Sequence, residues 1–173
     1  MKIQLTLLAI ALLTVACNSN KELPTVKEVD LNRYQGTWYE IARLPNRFEK
    51  DLECVTATYT LNNNGTIKVL NQGINLTDGM QKETATGKAK VPDTQHPGRL
   101  KVSFFGPFYG DYYIIDLDNN YQYALVGDPS RKYLWILSRT SSLPESVFNK
   151  LVSKANELEF ATDQLHITRH NCN

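Results

Sequence analysis

The residues of this 173-residue chain with the sharpest chemistry are three histidines and three cysteines. His166 and His170 stand four apart, a spacing that puts two imidazoles on one metal ion when the segment is helical. Their surroundings alternate like a strand, where four residues span about 13 Å, too far to share an ion. His96 sits in the loop Thr94-Gln95-His96-Pro97-Gly98. All three read as surface histidines, and neither a metal nor a cofactor is expected. The chain has no G-x-S-x-G, H-E-x-x-H or C-x-x-C and no phosphate-binding glycine loop, so nucleophilic, zinc-dependent and nucleotide chemistry find no support.

Composition sets the frame for the elements that must position any site. The chain is 42% hydrophobic, 21% charged and 10% aromatic, which fits one ordinary globular domain and excludes a disordered one. Lys and Arg number 19 against 18 Asp and Glu, and without Lys2 the two are equal, so the basic excess of a nucleic-acid binder is missing. No apolar run reaches the roughly 20 residues of a membrane-spanning helix.

Residues 1–16 have the form of a signal peptide: Lys2 at the front, an apolar stretch from Ile3 to Val15, then Ala16-Cys17 and an abrupt polar turn at Asn18-Ser19-Asn20-Lys21. Leu13-Thr14-Val15-Ala16-Cys17 resembles the lipobox of bacterial lipoproteins. The resemblance implies cleavage before Cys17 and acylation of its thiol and new amino group, and multiple chains give a stable anchor. Asn18 is not the Asp that in the enteric pattern holds a lipoprotein at the inner membrane, so the outer membrane is the expected location. Residues 17–29 read as a tether, and 30–173 as one domain.

That domain reads as strands. Period-two alternation rich in β-branched and aromatic residues recurs over 37–43, 54–61, 66–73, 84–91, 100–104, 112–117, 121–126 and 133–139, separated by turn residues such as Asn62-Asn63-Asn64-Gly65. The sequons at Asn64 and Asn75 are not expected to be used in a bacterial lipoprotein. Ser142-Leu143-Pro144-Glu145 matches a capping box, and Val147, Phe148, Leu151, Val152, Ala155 and Leu158 follow at helical spacing. A short ninth strand is expected over 164–168. With no helix between strands, the pattern predicts an all-β, eight-stranded antiparallel up-and-down barrel with one C-terminal helix packed outside.

Gly36-Thr37-Trp38 at the first strand, Asn119-Asn120-Tyr121 between the sixth and seventh, and Arg139 at the end of the eighth resemble the three motifs of the lipocalins. With runs such as GTWYEIARLPNRFE, KVSFFGPFYG and YLWILSRT, the chain is similar to bacterial outer-membrane and apolipoprotein-D-like lipocalins over about residues 28–172. The resemblance implies that Gly36, Trp38 and Arg139 build the closed floor of a cup, with Arg139 lying on the Trp38 ring. It also implies ligand contacts at Tyr59, Asn71 and Trp135, and a staple between Cys54 and Cys172, the cysteine pair left in an oxidising compartment.

Alternation supplies the rest of the candidate wall: Val69, Ala85, Val102, Phe104, Tyr113 and Ile115, with the small residues Ala57, Gly73, Gly87 and Ala89 expected to leave volume. Asp116 and Asp118, taken as outward, decide the parity of 112–117. Leu44, Pro45 and Phe48, with Phe105, Pro107, Phe108 and Tyr109, form an apolar rim that serves either as a partner or membrane surface or as a lid. The expected ligand is a small hydrophobic one, a fatty acid or lysophospholipid, held by a membrane-anchored protein that is monomeric or a homodimer. The competing reading is an enzyme built on the same barrel and acting on a hydrophobic substrate; turnover separates the two.

Overall fold

A computed structural model describes residues 22–172, so Cys17 and the signal-like segment lie outside the described residues. Eight strands run in antiparallel hairpin order: β1 Gly36–Arg43, β2 Leu52–Leu61, β3 Ile67–Asn75, β4 Gln81–Lys90, β5 Arg99–Phe105, β6 Phe108–Leu117, β7 Tyr123–Gly127 and β8 Leu134–Ser138. β8 pairs back onto β1, and β1 onto β2, so the sheet closes into the expected barrel. A one-turn helix α1, Leu31–Tyr34, precedes β1 and was not legible in the sequence; Asp30 caps it by accepting from the Asn32 amide at 2.9 Å. The long helix α2, Glu145–Glu157, follows β8, and β9, His166–Ile167, lies beyond it.

Strand alternation divides the apolar side chains into two cores. The inner one holds Trp38, Tyr59, Val69, Ala89, Leu100, Ile114, Ala124, Val126 and Leu137, contributed by all eight strands around the barrel. The outer one lies between α2 and the outside of β6 to β8, where Leu125, Leu134, Ile136, Leu151 and Ala155 are all fully buried. Lys154 of α2 reaches Asp116 of β6 at 2.7 Å and fixes the helix on that face. The helix starts without the expected capping box. Pro144 is the N-cap and no side chain caps it, because a residue before proline avoids the helical region and Leu143 cannot begin the helix.

The barrel wall has two irregular seams. β1 and β2 pair only from Gly36↔Tyr59 to Tyr39↔Thr56 and then part. The C-terminal segment fills the gap: β9 pairs with Ala42 and Arg43, and the Cys54 amide donates to the Arg169 carbonyl at 2.8 Å. The other seam is between β4 and β5, which share only the rungs Lys88↔Ser103 to Lys90↔Lys101, so β4 continues past its neighbour toward the open end. The C-terminal part of the stretch read as a tether packs onto the barrel from Glu22 on, with Leu23 buried and the Val26 amide donating to the Ile114 carbonyl at 2.9 Å.

Candidate functional site

The closed end is built by the motif residues. Gly36 enters β1 at φ 91°, where a side chain is disfavoured, and a Cβ there would lie 3.3 Å from the Arg139 guanidinium. Arg139 stacks on the Trp38 ring at 3.9 Å and donates to the carbonyls of Arg33, Tyr34, Thr37 and Tyr121. The Trp38 indole donates to the Tyr34 carbonyl at 2.8 Å. These contacts clip α1 under the barrel and plug it. Above the plug the Tyr112 hydroxyl bridges those of Tyr34 at 2.7 Å and Tyr59 at 2.8 Å. Burial pushes all three phenols above their ordinary range, Tyr59 to about 12, so they stay protonated and neutral.

Above this floor the barrel holds a cavity. Its atom-free space is about 640 Å³ with the mouth included, but only about 80 Å³ of it admits the centre of a water molecule. The small share open to a water-sized centre makes this a narrow slot. Tyr59, Val69, Asn71, Val102, Phe104 and Trp135, all expected from the resemblance or from alternation, line it together with Ala57 and Ala89.

Three expected wall residues are elsewhere. Tyr113 and Ile115 face the outer core under α2, while Tyr112 lines the cavity and Ile114 joins the inner core. The cause is a bulge between Ile114 and Asp116: Asp116 does point outward, but the extra residue inverts the parity of everything before it. Ala85 is exposed, since β4 at that point has run beyond its last rung with β5. Gly87 does not leave volume either. A Cβ there would lie 2.7 Å from the Phe104 ring and from the Ser103 carbonyl, so its missing side chain is the niche that Phe104 occupies.

Alternation missed the charged wall. Glu40, two residues after Trp38 on β1, lines the cavity while only 2% exposed. Period two from Trp38 was the available signal. Glu49, in the loop between β1 and β2, has no such signal and also lines it. The Glu40 Oε1 accepts from Arg43 at 2.6 Å and from the Thr168 hydroxyl. The Glu49 Oε2 accepts from the Trp135 indole at 3.0 Å and from Asn46 at 2.6 Å. Burial first, then the neighbouring Glu49, raise the Glu40 carboxyl to about 8, against the opposing pull of Arg43 and Thr168.

The apolar rim stands in solvent around the mouth: Phe105 is 76% exposed, Phe108 78% and Phe48 56%. Leu44 instead turns into the outer core. Tyr109 is half-buried beneath Lys88 and Lys90. The histidines are dispersed: His96 pairs with Asp93, His166 with Glu53, and His170 contacts the Glu40 carbonyl. Among the described residues no group of three or more His, Cys, Asp or Glu is placed to hold a metal. Cys54 and Cys172 are joined in a disulfide.

Comparison with known proteins gives a consistent picture. A family model described as a lipocalin-like domain matches residues 29–170. The outer membrane lipoprotein Blc of Escherichia coli (strain K12) is 46% identical over 153 residues, covering 87% of this chain and 86% of that protein. Apolipoprotein D of Rattus norvegicus is 34% identical, covering 80% and 76%. The solved structure of insecticyanin from Manduca sexta superposes with a TM-score of 0.69 at 22% identity, covering 86% and 84%.

Proposed function

This chain belongs to the lipocalin family, and from that premise we propose that it is a lipid-anchored binding protein of the bacterial outer membrane, facing the periplasm, that stores or carries a long-chain lipid for envelope maintenance. The carrying observation is the slot-shaped cavity: a neutral tyrosine floor, apolar walls and a few polar groups toward the mouth, the make-up of a small-molecule site. A fatty acid or a lysophospholipid supplies one chain of the matching shape. The anchor is the Cys17 thiol with its new amino group, as the lipobox-like stretch before it implies, and the relatives named outer membrane lipoprotein support the location. Leu23 docks on the outer core, so only a few residues separate Cys17 from the barrel and keep the cup close to its membrane. The site's groups suit holding rather than turnover: its phenols are locked in hydrogen bonds to one another, and among the described residues no Ser, Cys, Lys or His lines the slot.

Titration with saturated chains of increasing length tests this reading. Each CH₂ buried contributes up to about 0.8 kcal/mol before ordering costs, so a sixteen-carbon chain outbinds an eight-carbon one by several orders of magnitude until the slot is full. Trp135 quenching reports occupancy, and Trp135→Ala weakens binding while the Trp38–Arg139 floor keeps the fold. A response flat in chain length refutes the proposal. Mass spectrometry of the mature N-terminus tests the anchor; a first residue other than Cys17 refutes it.

A further inference from the structure

The polar groups along the slot are unbalanced in one direction. Among the described residues, its charged lining groups are two carboxyls, Glu40 and Glu49, and no Lys, Arg or His lines it. Three acceptor oxygens there take no hydrogen bond from the described residues: the Glu40 Oε2, the Glu49 Oε1 and the Asn71 Oδ1, the last buried and unpartnered. Arg43 neutralises one carboxyl from behind and leaves the pair with one negative charge in excess when both are ionised. A free carboxylate head entering here meets like charge with no cation to receive it, whereas an ammonium brings one positive charge and three donors to three open acceptors.

We propose that the mouth-side wall of the slot, formed by Glu40, Glu49 and Asn71, is a head-group site for a protonated amine, so that the preferred ligand is a single-chain amphiphile carrying an ammonium rather than a free fatty acid. This rests on the lipid-binding reading and narrows it to a head-group class. The groups facing Glu40 are Arg43 from its own strand, Glu49 from the following loop, and Thr168, with His170 on its carbonyl, from the C-terminal segment. In the empty slot Glu49 and burial favour the protonated Glu40. A bound cation favours the ionised form, so ammonium binding near neutral pH expels a proton.

The test uses dodecylamine, dodecanol and dodecanoic acid, three probes with one chain and three heads, titrated at pH 7 against the full protein by tryptophan quenching. The amine binds at least tenfold tighter than the acid, with the alcohol between. Glu49→Gln keeps the side-chain shape and narrows the amine-to-acid ratio by about tenfold. Calorimetry in two buffers of different ionisation enthalpy shows proton release with the amine and none with the alcohol. Equal binding of all three by the wild-type protein overturns the head-group site and leaves lipid binding standing. Failure of all three to bind overturns both. A ratio unchanged in folded Glu49→Gln overturns the assignment to this wall, and the wild-type comparison decides the matter if that variant does not fold.

Discussion

Replacing Cys54 and Cys172 with alanine tests how the barrel wall is completed. β1 and β2 separate after Tyr39↔Thr56, and the C-terminal segment stands between them as a substitute strand. It is held by the Cys54 amide on the Arg169 carbonyl at 2.8 Å, the Thr168 amide on the Ile41 carbonyl at 3.0 Å and the Arg169 amide on the Glu53 carboxylate at 2.6 Å. The disulfide then ties the end of this segment to β2 across a sequence separation of 118. In the chain-entropy model a loop of that length gives a ceiling of about 5 kcal/mol, and measured bridges typically deliver about 2–4. The non-covalent bonds of the segment, worth about 1 kcal/mol each, survive in the double alanine variant. The variant therefore folds, loses about 3 kcal/mol of unfolding free energy in urea, and frays first at the seam. Hydrogen exchange reads the second effect: the amides of residue 54, Thr168 and Arg169 exchange faster, while those of Leu125 and Ile136 in the outer core follow global unfolding. A loss below about 1 kcal/mol together with unchanged exchange at Thr168 would show that the segment is not held from its end, and the reasoning fails.

Arg139→Lys keeps the charge but cannot reach four carbonyls at once or lie flat on the Trp38 ring, so we expect a loss of about 2 kcal/mol in chemical denaturation; a midpoint unchanged from wild type contradicts the clip. Gly87→Ala places a methyl within 2.7 Å of both the Phe104 ring and a backbone oxygen, which costs about 1–3 kcal/mol and pushes Phe104 into the slot. Long-chain lipid affinity then falls as stability does, and tight binding in a stable variant contradicts the assignment. Because the folded-state pKa of Glu40 is raised to about 8, the folded protein binds the extra proton between the ordinary carboxylate range and that value. Its contribution to stability is present at low pH and is lost as pH rises toward 8. Urea midpoints at pH 5.5 and 8.5 check it, and Glu40→Gln flattens the difference; a slope unchanged by that substitution assigns the effect elsewhere.

Much of the fold was legible because half-buried strands write their inner face at period two. Val55, Ala57 and Tyr59 on β2, and Val69 and Asn71 on β3, all fall where alternation puts them. Alternation fails where the count breaks. On β6 a single bulge inverts the parity, and Asp116 and Asp118, used to set it, lie on the far side of that bulge. Small residues misled for a different reason: their emptiness is local, and a neighbour such as Phe104 can occupy it. Glu40 had a signal in its spacing to Trp38, but its type points the other way, since a buried carboxyl is rare without partners as close as Arg43 and Thr168. The ninth strand and the staple were expected, but the pairing that closes the β1–β2 seam was not readable, because β9 contributes only two strand residues and its partners lie more than a hundred positions away in sequence.

The two cores explain how the barrel keeps an opening inside without losing its shape. β6 to β8 are packed on both faces, inward against the plug and outward against α2, and the fully buried Leu125, Leu134 and Ile136 belong to that outer core. β4 has no such support: it turns Thr84, Thr86, Lys88 and Lys90 to solvent, and Thr60 and Lys68 do the same on β2 and β3. Those strands bury apolar surface on the slot side only. A chain lying in the slot therefore adds contacts on this single-faced side, and the β4–β5 seam, three rungs long, is the shortest pairing among the eight barrel strands. The rigid half of the barrel holds the architecture, and the single-faced half is the part whose stability depends on what the slot contains.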